Sequence, residues 1–363
     1  QVLRFLGGFF GAGAGVVSAI LITEIIPKKQ SGVANTSLFA AMTGMITVAY
    51  IQQNIFTQSQ ILQYWQYILC WPAIFILLKV LLMPLVLPTE SPKFFIKKNY
   101  DKPDLREKLQ KMYSHTYRES QTFNIADSCI KVYTQQQKAS VIENDGEEKA
   151  CAELRNLTGE YSRKRLLSGL VVAFSQQICG VSFFALYSTD LFNRISGKGK
   201  QVTFFLAISK ILGGLFAVIF MKAFGRKFNF HIGILTQCLS IVAIVISMEI
   251  DMPEIAYFAV VIYMLAFAVG LGGAFPAYLT EILPPVGVSA ANSLACTINA
   301  SLGKILPLVA EPLGDENILL FFAVMCIVSF LLLDRVVIET KDKDEELVIE
   351  EFLHKKYRFL DFS

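Results

Sequence analysis

Long apolar runs separated by short polar links dominate this chain. Nine of them are close to the roughly 20 residues that a spanning helix needs: residues 2–23, 33–51, 64–87, 166–192, 202–221, 230–248, 256–279, 289–310 and 318–338. Between the third and fourth runs, residues 88–165 are mostly charged and polar; Pro103 and Asp104 can open a short helix there, and 143–149 is a solvated charge run. The pattern predicts an all-α membrane protein. Its expected parts are a three-span bundle over 1–87, an aqueous connector with short helices over 88–165, a six-span bundle over 166–338 and a charged tail over 339–363. The chain opens on Gln1, and its first apolar run starts at once, without the basic flank and cleavage site of a signal peptide, so an upstream segment is expected.

The fourth run carries an adjacent amide pair, Gln176 and Gln177, near its middle. Hydrocarbon offers no water to satisfy primary amides, so a spanning helix keeps them where they meet a partner, a cavity or a ligand. Read as one helix, Gln176, Gly180, Phe183 and Tyr187 share a face: an amide, a gap and two aromatic surfaces, with Phe184 beside them. That combination suits a polar, ring-shaped solute; the alternative is that the amides bond neighbouring helices. A second polar feature is Lys210, in the middle of the fifth run, with Thr203, Gly213 and Gly214 on its face. An ammonium at the bilayer centre costs roughly 2.5 to 3.5 kcal/mol on insertion scales. Lys210 therefore reads either as the pole of a site for an anionic solute, such as a sugar acid or phosphate, or as a lysine packed among amides and carbonyls in a protein that does not transport.

Composition agrees with a bilayer setting: 54% hydrophobic, 17% charged and a mean hydropathy of +0.50 exclude a single soluble domain. A net charge of +3 argues against nucleic acid as a partner. Seven scattered cysteines without a CxxC pair read as small apolar residues, and neither a metal site nor a catalytic set is expected from them or from the three histidines. Basic residues fall on alternate sides of successive runs: Lys28 and Lys29, then Arg163 to Arg165, then Lys222, Arg226 and Lys227, then Lys341 and Lys343. The opposite loops carry Arg194, Lys198 and Lys200, so the connector and the C-terminus are expected in the cytoplasm.

An internal repeat links the two parts. Thr23-Glu24-Ile25-Ile26-Pro27 matches Thr280-Glu281-Ile282-Leu283-Pro284, with Gly13 and Gly15 aligned to Gly270 and Gly272, and Asn35 to Asn292. Spans one to three thus repeat as spans seven to nine, as in transporters with parallel repeats. Spans four to six have no counterpart at the front, which points to a twelve-span architecture of which nine spans are here.

The residues that carry a family resemblance are LRF at 3–5, TEIIP at 23–27, TESPKFF at 89–95, SQQICGVSFFALYST at 175–189, GRK at 225–227, VGLGGAFPAYLTEILP at 269–284 and ETK at 339–341. With them the chain resembles the sugar porter family of the major facilitator superfamily, which contains facilitative glucose transporters and proton-coupled hexose carriers. The resemblance implies a helical carrier, not an enzyme, that binds a small sugar without a cofactor. Its sugar-binding amides fall on Gln176, Gln177 and Asn299, with Ser182 in place of an Asn and Phe183, Phe184 and Tyr187 as an aromatic wall. Other family contacts are replaced: Ala173, Phe39 and Lys210 stand where a Gln, a Gln and an Asn are usual, and Ala268, Pro276 and Ala300 where a Glu, a Trp and a Trp are usual. The family's cytoplasmic gate maps to Glu24, Glu90, Arg226, Glu281 and Glu339, with Ser31, Val288 and Lys222 as departures. Arg4 lies where proton-coupled members pair an Arg with an Asp on the first helix. The expected function is hexose or related sugar transport by alternating access in the plasma membrane, with protons as partners if transport is coupled. The competing readings are a non-transporting receptor or structural membrane subunit, or a carrier of an anionic solute.

Overall fold

The computed structural model describes residues 2–26, 28–55, 160–341, 343 and 345–354, with isolated helical positions at 74, 77, 78, 81, 96 and 107. The third apolar run and nearly all of the connector therefore lie outside the described residues. What is described is helical: α1 (Val2–Ile25), α2 (Lys28–Ile55), α3 (Glu160–Ile178), α4 (Val181–Ser196), α5 (Gly199–Ala223), α6 (Arg226–Glu249), α7 (Pro253–Phe267), a π-turn (Ala268–Gly272), α8 (Ala274–Ile282), α9 (Pro285–Leu313), α10 (Asp315–Val336) and α11 (Glu345–His354). Five stretches are long and apolar enough to cross a membrane: Arg163–Ser196, Gly199–Ala223, Arg226–Glu249, Pro253–Ile282 and Asp315–Val336. Helices outrun their apolar runs, as at Lys28, Glu160 and Pro285, because the backbone stays hydrogen-bonded after the side chains turn polar.

The repeat is visible in the helix ends. α1 stops at Ile25 and α2 starts at Lys28, as α8 stops at Ile282 and α9 starts at Pro285. The aligned glycines differ: α1 runs unbroken through Gly13 and Gly15, where a Cβ would meet nothing within 4 Å among the described residues, whereas Gly270 and Gly272 belong to the π-turn.

Two stretches read as single helices are broken. Gly180 takes φ +97°, separating α3 from α4, and a Cβ there would meet Cγ of Phe322 at 3.0 Å. Gln176, Gly180, Phe183 and Tyr187 consequently do not share one helical face, and the gap expected at Gly180 is filled by a core ring. The break leaves the Cys179 carbonyl outside the helical ladder, and the Tyr263 hydroxyl donates to it at 2.9 Å. The second break is the π-turn, where Gly273 N–H reaches Ala268 O at 2.8 Å and Gly270 leaves helical geometry (φ −84°, ψ −106°). Here the α6 backbone approaches so closely that a Cβ on Gly233 would lie 2.6 Å from Gly270 Cα. Small residues permit this packing where lipid gives no hydrophobic drive between helices.

Early in the chain, α2 packs along α5 and α8. Its hydroxyls and amide bridge the seam at three levels: Asn35 Nδ2 to Thr280 Oγ1 at 3.0 Å, Thr36 Oγ1 to Gly273 O at 3.1 Å, and Thr47 Oγ1 to Ala207 O at 2.7 Å. These contacts place α2 on α5 and α8 and position the polar groups between them.

Candidate solute-binding site

The amides of α3 meet side chains from two other helices. Gln177 Oε1 accepts from Asn299 Nδ2 of α9 at 2.9 Å and from Ser182 Oγ of α4 at 3.5 Å, and Asn299 Nδ2 also donates to Ser182 Oγ at 3.0 Å. Gln177 Nε2 donates to Gln176 Oε1 at 3.2 Å, while Gln176 Nε2 donates to Leu271 O of the π-turn at 3.3 Å. Both glutamines are 9% exposed, whereas Asn299 is exposed. The cluster thus opens at α9 and is anchored at the π-turn. It offers amide and hydroxyl donors and acceptors at one place in an apolar bundle, which is the chemistry that several sugar hydroxyls need.

The aromatic residues divide. Phe183 is fully buried, stacked on Tyr187 at 5.8 Å and against Phe322 at 5.7 Å. Phe184 is also fully buried, 4.4 Å from the Tyr263 ring. Both phenylalanines form core behind the amide cluster, and Tyr187 is half-buried in front of Phe183. Lys210 is half-buried on α5 between two contacts with α2: Ala207 with Thr47, and Gly214, where a Cβ would meet Thr43 Oγ1 at 2.8 Å.

Three of the residues predicted for a gate, Arg226, Glu281 and Glu339, lie together at one end of the bundle. Arg226 pairs bidentately with Glu281, Nε to Oε2 at 3.0 Å and Nη2 to Oε1 at 2.5 Å. Thr340 Oγ1 adds a 2.6 Å bond to Glu281 Oε2. Glu339 caps α6: its carboxylate accepts from the backbone N–H of Arg226 at 2.8 Å and of Lys227 at 3.1 Å, where the helix dipole favours an anion. Gly32 of α2 lies against this group, for a Cβ there would stand 2.2 Å from Arg226 Nη2 and 3.1 Å from Glu281 Oε1. Glu24 is half-buried at the end of α1. Glu90 and the side chain of Arg4 lie outside the described residues.

Sequence reasoning missed Thr340, the hydroxyls of α2, and Tyr278, whose OH meets Ser168 Oγ at 2.7 Å. Thr36, Thr43 and Thr47 recur at seven- and four-residue steps inside an apolar run, a signal that marks a polar seam. An apolar crevice of about 330 Å³ between α5, α6 and α7, lined by Phe216, Phe220, Gly233 and Leu265, holds none of the predicted site residues.

Residues 1–352 match the family described as sugar (and other) transporter. The chain belongs to that family. It is 25% identical to the D-xylose transporter of Levilactobacillus brevis over 354 residues, covering 93% of this chain and 72% of that protein. It is 24% identical to the arabinose-proton symporter of Bacillus subtilis over 365 residues, covering 95% of this chain and 73% of that protein. Among solved structures it superposes on the proton:xylose symporter XylE bound to 6-bromo-6-deoxy-D-glucose with a TM-score of 0.71 at 17% identity, covering 92% of this chain and 70% of that one. The fold is therefore that of the major facilitator superfamily, and the chain is a multi-pass membrane transporter of the sugar type, not an enzyme.

Proposed function

We propose that this protein carries a hexose or a related sugar across the plasma membrane by alternating access, its two helix bundles rocking about a site near the bilayer midplane. The observation that supports this most is the bond from Asn299 to Gln177 and Ser182, which joins α9, α3 and α4 around one set of hydroxyl-binding groups. In this reading Gln176, Gln177, Ser182 and Asn299 exchange bonds with sugar hydroxyls, and Tyr187 offers the ring face that the buried Phe183 supports. Arg226, Glu281, Glu339 and Thr340 close the cytoplasmic end when the site faces outward, with Glu24 and Glu90 as their counterparts from the other half. Protons accompany the sugar if Arg4 is paired with an acid. One relative is named as an arabinose-proton symporter and one structural neighbour as a proton:xylose symporter.

Uptake of radiolabelled glucose and xylose into transporter-deficient cells tests the reading, with the parent protein beside Gln177→Ala. Saturable uptake by the parent, reduced roughly tenfold or more in the variant, is the expected result. A correctly inserted parent that moves neither sugar would sink the transport reading and favour a non-transporting receptor or subunit.

A further inference from the structure

The crevice of about 330 Å³ between α5, α6 and α7 is walled by Phe216 and Phe220 of α5, Ile232 and Thr236 of α6, Ile262 of α7 and Val269 of the π-turn. Phe216, Ile232 and Ile262 are exposed, so its mouth opens on the apolar outer surface of the bundle. Phe220 stands three residues, or about 4.5 Å, before the end of α5, and Thr236 stands ten residues, or about 15 Å, into α6. The crevice therefore lies at the acyl-chain depth of one leaflet, half of a hydrocarbon core about 30 Å thick. Below it the rings of Phe220, Phe224 and Phe228 follow one another at 5.4 and 4.9 Å, with Phe224 and Phe228 exposed. They carry the apolar surface down to the helix ends, where cations stand. Lys341 Nζ donates to Ala223 O at 2.9 Å, and Lys222 is exposed one residue earlier. The acids of that end are engaged elsewhere: Glu281 with Arg226, Asp334 with Lys227, and Glu339 with the N-terminus of α6.

We infer that this crevice binds one acyl chain of an anionic phospholipid from the leaflet at the Arg226 end, with the headgroup phosphate at Lys341 and Lys222. An apolar void that opens on hydrocarbon gains dispersion contacts when a chain fills it, and the chain enters without crossing water. Charge selects the headgroup. An ammonium has three donors and the Ala223 carbonyl takes one from Lys341, so phosphate oxygens can take the others. A choline headgroup brings a cation of its own to the two lysines, whereas a glycerol headgroup leaves the phosphate charge unopposed. In the sugar porters that the sequence resembles a Glu is usual at the position of Lys222, so the end of α5 has reversed its charge here. The distribution of basic residues assigns this end to the cytoplasm, whose leaflet carries the anionic lipids. The lipid also has something to act on. Val269 of the crevice wall precedes Gly270, which packs on Gly233, and Leu271, which accepts the Gln176 amide, so a bound chain braces the π-turn against α6. The inference holds whichever solute is carried.

Native mass spectrometry of the detergent-purified protein, offered equal amounts of dioleoyl phosphatidylglycerol and dioleoyl phosphatidylcholine, tests this alongside the melting temperature with each lipid. The parent is expected to retain phosphatidylglycerol in preference and to melt higher with it. Lys222→Gln combined with Lys341→Gln should cut that preference roughly tenfold or more, with little change in the retention of phosphatidylcholine. Thr236→Phe and Ile262→Trp fill the crevice from two different helices, and each should lose both the retained lipid and its stabilisation. Glycerol phosphate, the headgroup without chains, should not raise the melting temperature. Equal retention of the two lipids by the parent, or a preference that survives in the double lysine variant, would overturn the inference. So would unchanged retention in whichever crevice-filling variant folds, since the lipid would then lie elsewhere, or stabilisation by glycerol phosphate as large as that by the lipid.

Discussion

At the scale of single residues, Asn299 and Gly180 are the positions where one atom decides most. Asn299 Nδ2 holds two acceptors from two other helices, Gln177 Oε1 and Ser182 Oγ. Removing it in Asn299→Ala deletes both bonds and, in the proposed carrier, the sugar contacts for which they are exchanged, each worth about 0.5–1.5 kcal/mol. The KM for the transported sugar is expected to rise by one to two orders of magnitude, with the protein still inserted, and initial-rate uptake measures it. Gly180 is a question of stability. An L-residue in the left-handed region costs roughly 1–2 kcal/mol, and here its Cβ would also press on Phe322. Gly180→Ala should lower the melting temperature of the detergent-solubilised protein, and adding Phe322→Ala should not restore it, because the backbone cost remains. The amide pair was legible in the sequence because hydrocarbon makes two adjacent glutamines conspicuous. Its partner Asn299 was legible only through the family resemblance, since an Asn 122 positions away carries no local sign of where it will meet them. The break at Gly180 was not legible at all: glycine is common in spans, and neither the left-handed turn it makes nor the α10 ring packed on it leaves a local sign in the sequence.

At the scale of elements, apolar length located the spans and was silent about their interiors. The seventh run read as one helix, yet it divides at the π-turn because α6 comes within backbone contact there. Gly233 and Gly270 face each other, and a Cβ on Gly270 would meet Gly233 Cα at 2.8 Å and Asn229 O at 3.0 Å. Neither partner is the loose end of a side chain, so Gly270→Ala must separate α6 from the π-turn. Overpacking of this kind costs typically 1–3 kcal/mol. Because Leu271 also receives the Gln176 amide, the displacement reaches the solute site. The expected outcome is a protein with a lower melting temperature and weaker sugar binding together, read by a ligand-induced thermal shift that shrinks relative to the parent. The repeat explains why the sequence misled: Gly13 and Gly15 align with Gly270 and Gly272 but lie in an unbroken α1 with no described atom close beside them. Equal residues produced different backbones because their neighbours differ.

For the whole molecule, the decisive contact is at the Arg226 end, where α2 lies on an ion pair between α6 and α8. Arg226 and Glu281 have side chains only 8% and 15% exposed, so their pairing is not a surface ornament. Breaking a buried pair by removing one partner costs about 3–5 kcal/mol, since the other charge stays behind. Gly32 of α2 sits directly on the guanidinium, which ties that cost to the position of α2 relative to α6 and α8. Charge and fit can be separated. Arg226→Ala removes the charge and should tip the population toward the state open at this end, seen as a widened distance between spin labels on α2 and α6 and as reduced uptake. Gly32→Ala keeps both charges but places a methyl 2.2 Å from Arg226 Nη2, so the guanidinium must shift and the same widening should appear in smaller measure. The reversed pair Arg226→Glu with Glu281→Arg should recover part of the closed population, but not all of it. Thr340 Oγ1 would then face an arginine where it now donates to a carboxylate, and the N-terminus of α6 would lose the fit between Arg226 and the Glu339 cap. If Arg226→Ala and Gly32→Ala left the label distance unchanged, these residues would merely anchor helix ends, and closure would have to lie in the hydroxyl seam of Thr36 and Thr47.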